Sequence, residues 1–438
     1  MGSPQYFYRH FVFDAFKHFL SAEIIEKISR KIGPKHRHRC FGVEGFIWSG
    51  LLVAAYTSLP SLQQIFDQTG TLLGSITPVS LASVSAFCQY RTKFPLKAML
   101  YLWRFLLIKF KTKDNDTWRG FKLRALDGSL VNLPESLYAY FGASGGCGPG
   151  PVQGFLMVLY DLMSSVPIAF RISPAVNEGR PHLLLKHLSG HLTTGSLLLI
   201  DAGFYSLEIF SLLLKKGTHF VIPMRSSSKP KLIKRLGKND GLYQIKATSY
   251  WKNNPWVTED LVIRIITYQI PGFRPRRLVT SLVDELQYPA EEIIQLYHRR
   301  WEIETFFRDF KHTLSVTHWH AETLPALYSE LLFQILLVVL TRLVMAEAAI
   351  QSGISSNQLS FGRSLAKVKK ALGMIVFLPV SEWVKIYSEL IEQTKKYRID
   401  IRPNRRFERN TSKRRQRSRL RYAIIIAYLL LREEKDVA

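Results

Sequence analysis

At 438 residues the chain is long for a single domain and has room for two to four units of roughly 100–200 residues each. Its 60 Lys and Arg against 34 Asp and Glu leave a formal charge of +26. The 47% hydrophobic and 12% aromatic content excludes a disordered basic tail, which has too little apolar surface to form a core. A large core under a strong positive field points to a polyanionic partner, either nucleic acid or an anionic membrane surface.

The membrane is the weaker of the two. The longest apolar stretch, Leu331 to Met345, is interrupted by Gln334, Thr341 and Arg342 and falls short of the roughly 20 residues needed to span hydrocarbon. Arg9, Asp14, Lys17 and His18 are spread through the first apolar segment, so it does not read as a secretory signal. Cys40, Cys88 and Cys147 lie far apart, and His36 to Cys40 lacks a second ligand pair; neither a disulfide framework nor a zinc site is indicated. A reducing cytoplasm fits this pattern.

Residues 1–113 read as helical and basic, with 15 Lys/Arg against 5 Asp/Glu. Helical periodicity is clearest around Phe11–Phe16, Gly45–Tyr56, Ser61–Phe66 and the run through Tyr90 and Arg91. Two short helices about a Gly-containing turn fit either a helix-turn-helix or an ordinary bundle. From Phe121 the character changes. Lys122–Gly128 reads as a strand ending at a turn, Gln153–Tyr160 and Pro167–Ile172 as a hairpin, and Leu183–His191 as a helix. Ser196–Asp201 is a continuous apolar run, as expected of a central strand covered on both faces. A helix over 207–216 and a strand over 219–223 follow. Strand-like segments separated by Gly, Pro and Asn make residues 225–283 a β-rich insertion. A long helix is then expected over 290–314 and an apolar helical region over 322–350. Residues 395–421 carry 13 Lys/Arg against Asp400 and Glu408, which suits phosphate contact.

Two strands end in an aspartate closely followed by glycine: Asp127-Gly128 and Asp201-Ala202-Gly203. Either alone is ordinary turn chemistry, but a carboxylate at a strand's C-terminal rim is also where ligands gather in sheets with parallel strands. The helix from Ala290 is more informative. At about 100° per residue, Tyr297, Arg300, Glu304 and Lys311 fall within about 60° of arc, and Glu302 falls on the opposite side. One carboxylate, two cations and a phenol on one stripe could hold a metal and a phosphate backbone together; ordinary ion pairs on a solvated face are the alternative. Trp301, Phe306, Phe307 and Phe310 suggest that the helix packs closely against the body.

The spacing Tyr297-x2-Arg300-x3-Glu304-x6-Lys311 resembles the signature of the DDE transposases of the bacterial insertion sequence four family. Leu126-Asp127-Gly128-Ser129 and Ile200-Asp201-Ala202-Gly203-Phe204-Tyr205 resemble its first and second aspartate motifs. The likeness covers roughly residues 75–350, and Arg402–Phe407 extends it. It implies an α/β chain with an RNase H-like catalytic core. Together with the charge and periodicity of the flanking regions, the expected layout is a helical DNA-binding domain over 1–113, the core over 114–224 and 284–350, the β-rich insertion over 225–283, and a helical basic region over 351–438. The likeness further implies that Asp127, Asp201 and Glu304 hold two Mg²⁺ ions, with Mn²⁺ as a substitute, and that Tyr297, Arg300 and Lys311 grip phosphates of the transposon end. Trp251 and Trp256 are the candidates for stacking on an extruded base, with a place in the β-rich core as the alternative for either. The implied activity is cut-and-paste transposition through a hairpin. Its partners would be terminal inverted repeats and target double-stranded DNA, and it would work as a dimer in the synaptic complex, in the bacterial cytoplasm at the nucleoid. A catalytically silent, transposase-derived DNA-binding protein and a nuclease without strand transfer are the rival readings.

Overall fold

The computed structural model describes residues 43–56, 61–73, 83–93, 103, 117–142, 150–175, 188–225, 227–247, 257, 260–270, 274–314, 319–375 and 380–399. The chain is a mixed α/β protein built on one nine-stranded sheet. Its strands are β1 (Lys122–Asn132), β2 (Gln153–Asp161), β3 (Val166–Pro174), β4 (Ser196–Ile200), β5 (Thr218–Pro223), β6 (Lys231–Gly237), β7 (Asp240–Ile245), β8 (Leu261–Tyr268) and β9 (Arg276–Thr280). The order across the sheet is β3-β2-β1-β4-β5-β9-β8-β7-β6.

The strands β1, β2 and β3 form an antiparallel meander, and β4 and β5 run parallel to β1. All five residues of β4 are buried: Leu197 and Leu199 enter one core, Leu198 and Ile200 the other. A strand apolar on both faces needs cover on both. On one side α4 (Leu207–Lys215) supplies it, started by Ser206, whose Oγ accepts from the Ile209 N–H at 3.2 Å, and seated by Phe210 stacked on Phe220 at 4.5 Å.

The opposite face is covered by α5 (Ala290–His298), α6 (Trp301–Arg308) and the long α7 (Leu324–Ser352). Around α7 pack α1 (Val43–Ala55), α3 (Val84–Lys93), α8 (Phe361–Ile375) and α9 (Val380–Lys395), while α2 (Leu62–Leu73) rests on α1 and α3. Aromatic contacts lock this layer: Phe46 meets Phe333 at 5.4 Å and Trp48 meets Trp383 at 6.1 Å. Gly50 lies so close under Phe333 that a Cβ there would sit 2.2 Å from the ring. α7 is long and apolar enough to cross a membrane, but 83% of its most apolar window is buried inside the protein.

Several expectations change. β1 does not stop at Asp127-Gly128 but runs on to Asn132. Gly128 is there for close packing rather than for a turn, because a Cβ on it would lie 2.1 Å from the Phe155 ring of β2. The strands of the stretch 225–283 extend the same sheet: β9 pairs with β5 and brings β8, β7 and β6 into register behind it. The helix expected over 290–314 is two helices and a closing π-turn at Asp309–Thr313. In α3, Phe87 and Arg91 are buried in the common core. Residues 74–82, where the expected helix-turn-helix would turn, lie outside the described residues, as do residues 11–16, most of the helix expected at 183–191, Trp251, Trp256 and the basic run beyond residue 399.

Candidate active site

Parallel pairing sets Leu126 of β1 opposite Ile200 of β4, so the next residue of each strand, Asp127 and Asp201, emerges at the same level. Asp127 sits in mid-strand, and its Oδ1 accepts from the Gly128 N–H at 2.8 Å. Asp201 leaves β4 as the cap of a short 3₁₀ turn, Ala202–Phe204, where its Oδ2 accepts from the Gly203 N–H at 3.4 Å. The third carboxylate comes from above the sheet. Between α5 and α6 the backbone stays helical but tightens: the N–H groups of Arg300, Glu302 and Ile303 donate to the carbonyls three residues back, at 3.0–3.2 Å. This join keeps Arg300 and Glu304 on one side, one turn apart. It sends Glu302 to the other, where Arg299 Nε donates to it at 2.9 Å.

The carboxylates meet around one guanidinium. Arg300, only 7% exposed, donates to Glu304 and stands 3.6 Å from Asp127 and 4.0 Å from Asp201. Burial pushes the Asp127 carboxyl up to about 6, and the nearby charges of Asp201 and Glu304 act the same way. The Gly128 N–H and Arg300 pull against them. Among the described residues no three His, Cys, Asp or Glu side chains close directly on a common point at metal-ligand spacing; these three acids converge through Arg300 instead. The three are hard oxygen donors, the kind of ligand that divalent cations such as Mg²⁺ prefer.

The remaining stripe residues serve different ends. The buried Tyr297 hydroxyl donates to the Ile200 carbonyl at 3.1 Å, which fastens α5 to the end of β4 just before Asp201. Burial holds its phenol above the ordinary tyrosine range, and Arg300 lies 5.8 Å from its ring centre. Lys311 reaches down to β1, donating to Ser129 Oγ at 2.5 Å and to the Leu130 carbonyl. Phe306, Phe307 and Phe310 pack into the core as expected, but Trp301 is 57% exposed. It borders a cleft of about 620 Å³ beside Asp201 whose walls also include Tyr268, Arg276, Arg277, His298 and Arg300. Sequence reasoning missed Tyr268 and the two arginines; the run Arg274-Pro275-Arg276-Arg277 was the available signal.

The transposase DDE domain matches residues 118–340, half of the chain, and takes in Asp127, Asp201 and Glu304. The transposase InsG of insertion sequence element IS4 from Escherichia coli (strain K12) is 25% identical over 408 residues, 90% of this chain and 91% of that protein. The transposase of insertion sequence element IS231B from Bacillus thuringiensis subsp. berliner is 22% identical over 68% of this chain and 72% of its own length. Among solved structures, the cryo-EM synaptic complex of piggyBac transposase with hairpin DNA aligns at a TM-score of 0.45 and 13% identity, covering 90% of this chain and 86% of that one. The chain belongs to the DDE transposases of the IS4 family.

Proposed function

We propose that this DDE transposase moves DNA by cutting and pasting, with Asp127, Asp201 and Glu304 as the catalytic carboxylates of an RNase H-like core. The observation that carries the assignment is the convergence of all three, from β1, β4 and α6, on the single buried guanidinium of Arg300. The antiparallel meander feeding into parallel β4 and β5, with an acid on each of two adjacent strands and a third on the covering helix, supports the core reading. The proposed layout keeps residues 1–113 as a DNA-binding region, 114–224 and 284–350 as the core, 225–283 as its β-rich insertion and 351–438 as a basic helical region.

The carboxylates would hold two Mg²⁺ ions, or Mn²⁺ in their place. When bound, such ions supply Lewis-acid stabilisation of the attacking and leaving oxygens and an activated nucleophile at neutral pH. Arg300 is placed to trade its carboxylates for the phosphate of the cleaved strand, which it can grip with two parallel N–H donors. Tyr297 holds the end of β4 and presents the guanidinium from beneath. Lys311 carries a point charge towards the same phosphates from its mooring on β1. Hydrolysis breaks one P–O bond and frees a 3′-hydroxyl at the transposon end. That hydroxyl attacks the opposite strand to give a hairpin. After water opens the hairpin, the same hydroxyl joins target DNA. The joining steps exchange one phosphodiester for another and need no nucleotide cofactor. The DNA partners are terminal inverted repeats and target duplex, handled by a dimer in the synaptic complex at the bacterial nucleoid. Stacking on an extruded base is assigned to Trp251 or Trp256.

The deciding experiment is nicking of a duplex that carries the element's terminal repeat, with and without Mg²⁺. The wild type should nick only with the metal. Glu304→Gln should abolish nicking while leaving duplex binding intact, and Glu302→Gln should remain active. Loss of activity in Glu302→Gln with Glu304→Gln unaffected would overturn the assignment.

A further inference from the structure

Helix α8 carries four cations, Arg363, Lys367, Lys369 and Lys370, and no acid along its fifteen residues. Its inner face, including Phe361, Leu365, Val368, Leu372 and Ile375, is buried in the common core. Arg363, Lys367 and Lys370 share the opposite face within about 60° of arc. Solvated helix faces ordinarily alternate the sign of charge at i,i+4. Here Arg363 and Lys367 repel at that spacing, and Arg363 occupies the first helical turn, where the helix dipole disfavours a cation. None of the three has a carboxylate within ion-pair distance among the described residues, whereas the exposed Arg119 and the half-buried Arg299 and Lys395 are each paired. The stripe therefore lacks internal ion pairing to offset its self-repulsion, and the contact that Arg363 makes is with the Tyr397 ring, 6.0 Å from its centre.

Its position gives the stripe a use. α8 begins against the π-turn that ends the catalytic helix: a Cβ on Gly362 would lie 3.4 Å from the Thr313 methyl, and Arg342 sits over the Phe361 ring at 4.8 Å. Two residues before Thr313, Lys311 is moored to Ser129, itself two residues beyond Asp127. The stripe thus sits on a helix that shares one hydrophobic core with the helix bearing Glu304. We infer that Arg363, Lys367 and Lys370 form a backbone clamp for the double-stranded DNA of the transposon end, contacting phosphates of the duplex that leads to the scissile bond. The three cations span about 10 Å along the helix, short enough to meet neighbouring phosphates of one strand. The occupant is the element's own end rather than target DNA, because a clamp fixed to the catalytic helix suits the duplex that stays bound through every step.

The inference rests on the transposase reading, and its test separates the two. Wild type and the triple variant Arg363→Gln/Lys367→Gln/Lys370→Gln are compared for binding to a terminal-repeat duplex over a range of salt, with thermal melting to verify folding. Glu304→Gln serves as a cleavage-dead control that keeps the clamp. The variant should bind more weakly at every sequence, and its slope of log affinity against log salt should flatten by about 2.7, or 0.9 for each lost phosphate contact. An unchanged slope overturns the clamp even if wild-type nicking is normal. Flattening in a protein that never nicks with Mg²⁺ upholds the clamp and sinks the catalytic reading instead. Unchanged end binding, with loss only of joining pre-cleaved ends to a plasmid, assigns the stripe to target DNA and overturns the proposal as made.

Discussion

Asp127 is a half-buried carboxylate held next to two others, and loss of hydration pushes its carboxyl up to about 6 from an ordinary 3.8. The shift has a definite sign in stability. Between those two values the folded metal-free protein binds more protons than the unfolded chain, so this group's contribution to stability falls as pH rises through the window and stays lost above it. Asp127→Asn removes the penalty. In the absence of divalent metal the variant should be more stable than wild type at pH 7, by on the order of 1–3 kcal/mol, with the gap closing by about pH 4. Urea titrations at the two pH values measure this, and a variant equal to or weaker than wild type at pH 7 contradicts it. The gain in stability would accompany loss of nicking, since the charge that strains the fold is the one proposed to bind metal. Its neighbour Gly128 is constrained in a different way. Gly128→Ala should cost about 1–3 kcal/mol through collision with Phe155, and an unchanged denaturation midpoint would show that the ring can move aside. The aspartate was readable in the sequence as a motif, but the glycine beside it looked like turn chemistry. Its actual cause, an aromatic ring on the paired strand, depends on a register that no local pattern displays.

The elements most legible in the sequence were those marked by pronounced apolar runs: β2 and β3, the all-apolar β4, α4, and the long α7 with Thr323 capping its start. β6 escaped because Lys231 to Gly237 mixes Leu232, Ile233 and Leu236 with three cations and is exposed along almost its whole length; only pairing with β7 makes it a strand. The break at Arg299-Arg300 was invisible because both residues keep helical dihedrals. The helical stripe nonetheless chose Glu304 over Glu302 as the residue beside the two aspartates, because the i,i+4 relation of Arg300 and Glu304 lies within one turn of the join and is unaffected by it. The four strands after β5 are tied to the catalytic helices by a buried cation. Arg264 of β8, 1% exposed, pairs with Asp240 of β7, its Nε donating at 2.8 Å, while its Nη1 donates at 2.6 Å to the Tyr288 carbonyl just before α5. Asp240→Ala leaves that guanidinium buried and unpaired, and should cost about 3–5 kcal/mol. The volume-matched pair Arg264→Met/Asp240→Leu should recover most of the loss. A small effect of Asp240→Ala in urea denaturation would mean the strands are not fastened there.

At the scale of the whole molecule, one apolar helix, α7, organises a layer drawn from distant parts of the chain, and the seam that joins the N-terminal helices to it is charged. Arg91 of α3 donates at 2.5 Å to the His320 carbonyl and lies 4.0 Å from Glu330 of α7, and that carboxylate also accepts the His320 backbone N–H at 3.1 Å. All three side chains are nearly excluded from water. In the sequence Arg91 counted only as one more positive charge in a basic region, and its burial follows from a partner 239 residues away. Buried charges of this kind cost desolvation and hold only as a set, so the energetics are coupled. Glu330→Ala should therefore destabilise by about 3–5 kcal/mol, and Arg91→Ala by a similar amount. The double variant should fall well short of the sum, giving a coupling of about 1–3 kcal/mol in a double-mutant cycle. Unfolding should remain a single transition by fluorescence and circular dichroism, because the N-terminal helices share a core with α7 and cannot leave it without exposing Phe46, Phe87 and Phe333. Additive losses, or a separate early transition in Arg91→Ala, would instead show that α1 and α3 unfold independently of the catalytic body, and the seam would then be a contact of little consequence.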